Sequence, residues 1–153
     1  MPGNNLGTFS LLVGIVGATL LTGGMTSSHL SKDGSGVWNV CTVEGCLAVR
    51  VMMVISAVFG ILHVLILLLY LVKEVGPNTQ KIITSVFISA LLTAIFGLVS
   101  IIVYKAKLEA DGSFTLGSTF GTECAGVAII LFNIIVILLE RRRQRKTGAY
   151  LSI

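Results

Sequence analysis

The sequence predicts an all-α integral membrane protein: four transmembrane helices carrying a small extracellular β-hairpin. Three observations lead there. Of 153 residues, 54% are hydrophobic and only 12% are charged, against about 25% charged in a soluble domain. The mean hydropathy is +0.95. The charges gather at segment ends and leave four apolar stretches, residues 7–25, 51–72, 82–104 and 116–139. Each is about 19 to 24 residues, long enough to cross a hydrocarbon core of roughly 30 Å as a helix. A helix satisfies its own backbone hydrogen bonds where no water is available. Residues 1–140 are therefore read as a four-helix transmembrane domain, and 141–153 as a basic tail.

The first stretch is expected to be a retained helix. No Lys or Arg precedes it, so it lacks the basic start of a signal peptide. Gly14 and Ala18 stand four apart, a small-xxx-small spacing repeated by Ser56/Gly60 and Gly117/Gly121. Such pairs let helices approach closely in lipid, and ordinary bundle packing is the expected use.

The loop 26–50 holds Gly36-Val37-Trp38-Asn39-Val40-Cys41 and then Cys46-Leu47-Ala48-Val49. Branched and aromatic residues around Glu44-Gly45 suggest a two-stranded hairpin. Cys41 and Cys46 are spaced to close it, and a bridge requires an oxidising compartment. The plainer alternative is two free thiols and a buried Trp. Asn39-Val40-Cys41 is not the usual N-x-Ser/Thr acceptor, so no N-glycan is expected.

Gly76-Pro77-Asn78 is a tight-turn signal in the short inner loop 73–81. Loop 105–115 has mixed charge and the hairpin dipeptide Asp111-Gly112. The tail carries Arg141, Arg142, Arg143, Arg145 and Lys146, and the inner loop Lys73 and Lys81. The other two loops hold Lys32, Arg50, Lys105 and Lys107. Seven cations against four place both termini in the cytosol. The cysteine loop then faces outward, in agreement with the redox argument. The net charge of +4 comes mostly from the tail, which suits anionic lipid heads and not nucleic acid. The tail is expected to be mobile beyond Arg141.

Ionisable groups inside a membrane are costly and mark candidate sites. His63 in span two and Glu123 in span four are two such groups. They differ in depth by roughly 8 Å, so hydrogen bonds to neighbours such as Ser56, Ser89 and Thr93 are expected in preference to a direct pair. Asn133 is expected to bond across helices, and Cys124 to be a small packing residue. No enzyme constellation, metal-ligand spacing or phosphate loop appears. No catalytic residue, cofactor or metal is assigned. The end Tyr150-Leu151-Ser152-Ile153 could add as a strand to a PDZ-type scaffold through Leu151, Ile153 and a free carboxylate.

Gly36-Val37-Trp38-x-x-Cys41-x4-Cys46 resembles the G-L-W-x-x-C…C signature of the claudin superfamily, and most resembles its peripheral myelin, epithelial and lens fibre membrane protein branch. Arg50 before Val51-Met52-Met53 resembles the family's Arg ahead of its second helix. The resemblance implies a left-handed bundle with an outer β layer, Trp38 wedged at the membrane surface and Arg50 anchoring the loop. It implies a non-enzymatic plasma-membrane protein that self-associates and organises cell-cell contacts or membrane domains. An auxiliary subunit of a channel or receptor is the alternative within the same superfamily. A small glutathione-transferase-type membrane enzyme is the remote one, because the cluster of Arg, Asn and Tyr it needs is missing. The segment after span one, Thr26-Ser27-Ser28-His29-Leu30, has no Trp where the family usually has one. The first outer loop is also shorter than the claudin pattern, so a reduced sheet is implied.

Overall fold

A computed structural model describes residues 5–26, 45–72, 79–109 and 118–146. They form four helices: α1 (Asn5–Thr26), α2 (Cys46–Val72), α3 (Thr79–Val103) and α4 (Ser118–Lys146). Tyr104–Glu109 continues α3 as a π-helix. All four helices are long and apolar enough to cross a membrane. They pack in a ring: α1 touches α2 and α4, and α3 touches α2 and α4. The backbones of the diagonal pairs stay apart, so these pairs meet only through side chains across the axis of the ring, as His63 of α2 and Asn133 of α4 do.

The polarity of the bundle is turned inside out. Leu12, Val16, Leu65, Leu69, Ile102, Phe132 and Ile135 are exposed on its outer surface. Ser10, Ser56, His63, Ser89, Thr93, Ser100, Glu123 and Asn133 are buried inside it. Lipid solvates the first set as well as a core would, while the second set is kept from lipid and finds its partners inside the bundle, across helices or on its own backbone. Thr19, Thr84 and Ser85 sit toward the outside and donate back to the carbonyls of Ile15, Gln80 and Lys81, so their hydroxyls need no external partner. Aromatic pairs close three seams of the ring. Phe9 meets Phe132 edge-on at 6.4 Å, Phe59 stacks on Phe96 at 5.8 Å, and Tyr104 tilts over Phe120 at 5.0 Å.

Three expected boundaries shift. Residues 46–49, read as the second hairpin strand, are the first turn of α2. The amide of Val49 donates to the Gly45 carbonyl at 3.0 Å, an i to i−4 bond that leaves nothing for a strand partner. Gly45 has φ of 93°, a left-handed turn that only glycine adopts freely, and it ends the chain's approach to the helix. Cys46, Val49, Met53, Ser56, Gly60, His63, Leu67 and Tyr70 are all buried at helical spacing, so the packing stripe runs unbroken from the first residue. At the other side, residues 105–109, read as the start of the loop 105–115, are helical. Finally, α4 continues to Lys146, through the basic run read as a mobile tail. Arg, Gln and Lys are good helix formers, and cations suit a helix C-terminus.

Candidate functional site

The described residues hold their chemistry at two levels of the bundle. The middle level is built on His63, which has no exposed surface. Asn133 on α4 is equally buried, and its Nδ2 lies 2.9 Å from His63 Nε2. The Asn133 Oδ1 accepts from the Ser10 hydroxyl of α1 at 2.7 Å. On the far side of the ring, His63 Nδ1 lies 3.2 Å from the Val86 carbonyl and 3.3 Å from Ser89 Oγ, both on α3. Ser89 donates to the same Val86 carbonyl at 2.9 Å. One file of hydrogen bonds thus joins all four helices. It is possible because Gly14 faces it: a Cβ there would stand 3.1 Å from Asn133 Nδ2 and 3.4 Å from His63 Nε2. Any larger residue would hold α1 away from the pair.

The second level surrounds Glu123, which is 2% exposed. Its Oε1 accepts from Ser100 at 3.3 Å, and its Oε2 is buried with no hydrogen-bond partner. Gly24 of α1 faces Oε2, its virtual Cβ only 3.1 Å away. Val49, Met53, Ile101, Tyr104 and Phe120 line an apolar pocket beside the carboxyl. Between the two levels, Ser56 donates to the Thr93 carbonyl at 3.0 Å and Thr93 to the Ser89 carbonyl at 2.8 Å. These hydroxyls spend their protons on backbone, so they do not connect His63 to Glu123.

His63 and Glu123 are therefore brought into the same bundle but not together, and Asn133 is the partner of His63. Ser89 is a neighbour of His63 as expected, whereas Ser56 and Thr93 bond elsewhere. Cys124 is half-buried with a free thiol. Cys46 is 1% exposed and Arg50 half-buried in the first turn of α2. Gly36, Trp38, Cys41, Leu151 and Ile153 lie outside the described residues. Gly121 faces open space, so it is not used for packing within the chain. Among the described residues, no group of three or more His, Cys, Asp or Glu could hold a metal ion.

Three buried groups escape a reading of the sequence. Ser10 and Ser100 are single hydroxyls in apolar runs, a weak signal at any position. Glu140, the last residue of the transmembrane domain and just past the fourth apolar stretch in the sequence reading, is only 9% exposed. Its signal was its spacing: seven residues beyond Asn133, it stands two turns further along the same face. Compared with protein-family models, curated proteins and solved structures, the chain finds no match in any of the three.

Proposed function

We propose that this chain is a non-enzymatic, claudin-like tetraspan of the plasma membrane. It organises cell-cell contacts or membrane domains by self-association, with its outer loop as the recognition surface and both termini in the cytosol. The observation that supports this reading is the place of Cys46. It is the first residue of α2 and is buried against the bundle. A Cys41–Cys46 bridge would tie the Trp38 segment straight onto a rigid helix, with Arg50 one turn below. The loop would then be presented by the bundle itself, and any hairpin layer is confined to residues ahead of Gly45. A fixed loop loses less conformational entropy when it meets a partner.

The test is a two-colour mixing assay. Differently tagged copies are expressed in separate populations of non-adherent cells, and shared borders are imaged. Enrichment only where both cells carry the protein is expected, with loss of that enrichment in Trp38→Ala and Cys41→Ser at unchanged surface level. Uniform surface signal would remove self-adhesion and leave a lateral role beside a channel or receptor.

A further inference from the structure

The hydrogen-bond file through His63 fixes where its proton is. Asn133 Nδ2 can only donate, so His63 Nε2, 2.9 Å away, must accept. The ring proton is then on Nδ1, facing the Val86 carbonyl at 3.2 Å. Ser10 completes the order by donating to Oδ1. Every proton in the file runs in one direction, from α1 through α4 and α2 to α3.

A second proton on the ring would break that order at one point. The new Nε2–H would face the Asn133 NH2, donor against donor. An amide relieves this by turning over, because its oxygen and nitrogen are nearly the same size. After the turn, Oδ1 accepts from Nε2–H and Nδ2 donates to Ser10 Oγ. Ser10 changes from donor to acceptor, and its own proton must point elsewhere. Ser10 also lines a chamber on the bundle axis that Tyr70 and Glu140 share. Only the amide oxygen and nitrogen of Asn133 exchange places, and no helix needs to move, for the change to pass from His63 to that chamber.

Among the described residues no other titratable group touches the ring of His63, and Tyr70 and Glu140 stand beyond Ser10 in the chamber. The ring of His63 meets Gly14 of α1, Val86 and Ser89 of α3, and Asn133 of α4; Ser10 stands behind Asn133. Glu140 and Glu123 are seven and ten residues from Asn133 on α4, about 10 and 15 Å along the axis.

We propose that His63 is a proton-operated latch: one proton taken up from water at Nε2 turns the Asn133 amide over and reverses the Ser10 hydroxyl toward the chamber bordered by Tyr70 and Glu140. The latch does not depend on the adhesive reading of the outer loop. It gives a membrane-embedded bundle two internal states set by acidity.

The experiment is a pH titration, from about 8 to 4, of the full chain, nitrogen-isotope-labelled, in lipid nanodiscs. The His29→Asn background leaves His63 as the one imidazole, since the chain has 2 His. The expected result at the alkaline end is a neutral ring carrying its proton on Nδ1. On acidification the ring gains its second proton, and the Asn133 side-chain amide signals shift with the same midpoint. Asn133→Asp offers acceptors only and is expected to keep His63 doubly protonated at the alkaline end. Three results would each overturn the latch: a neutral ring protonated on Nε2, an Asn133 amide that stays still while His63 titrates, or no titration while the helical circular dichroism persists.

Discussion

The level of His63 and the level of Glu123 answer the same problem in different ways. Both bury a titratable side chain among four apolar helices. Around His63 the partners are an amide, a hydroxyl and a carbonyl, and both ring nitrogens are within hydrogen-bond reach of at least one. At Glu123 one hydroxyl, that of Ser100, bonds the carboxyl at 3.3 Å, and the other oxygen has no partner. A neutral imidazole has one donor and one acceptor, so two neighbours complete it. A carboxylate needs several donors, and the neighbouring Val49, Met53, Ile101 and Phe120 supply none. The difference teaches that the middle level is built to hold its group in place, whereas the second level tolerates a group it does not complete. Polar networks are strong only when every member is satisfied.

Four substitutions sharpen or break that comparison. The largest effect is expected from Gly97→Leu, between the two levels. A Cβ there would stand 2.5 Å from Val127 Cγ2 and 3.2 Å from Ser56 Oγ, so α3 must move from α4 and α2 together. Destabilisation toward the upper end of about 1–3 kcal/mol is expected, measured by unfolding in mixed detergent micelles. Asn133→Leu comes next. It removes the partner of both His63 and Ser10, and about 1–2 kcal/mol should be lost in the same assay. An unchanged midpoint would mean that the file through His63 contributes nothing to holding the ring.

Glu123→Gln is expected to do little or to stabilise, by less than about 1 kcal/mol. The amide keeps an acceptor for Ser100 and removes a buried acid that has no second partner. A loss as large as that of Asn133→Leu would erase the distinction between the levels. The smallest effect belongs to Gly121→Ala, on the exposed face near Glu123. Nothing lies within 4 Å of the added carbon, so only the helix propensity changes, a gain of roughly 0.5–1 kcal/mol at most. If that variant instead weakens crosslinking between copies in native membrane, Gly121 serves contacts between chains.

Much of this architecture was legible from the chain, because hydrophobic length and charge placement act residue by residue. The four spans follow from four apolar runs, and the inward turn of His63, Glu123 and Asn133 follows from the cost of exposing them to lipid. The ends of the helices were less legible. Cys46-Leu47-Ala48-Val49 has strand-like residues, and only the continuity of the buried stripe into Met53 and Ser56 made it a helix. The run from Arg141 looked like a free tail, yet its good helix formers prolong α4 to Lys146.

By itself the sequence determined that this is a four-span membrane protein with polar groups inside, since apolar length and the cost of buried charge are local properties. Which polar group meets which was decided by the tertiary structure alone. Asn133 reaches His63 across 70 residues of chain and Ser10 across 123. Those meetings depend on the ring order of the helices and on Gly14 letting α1 come close, and neither can be read from spacing along a single helix.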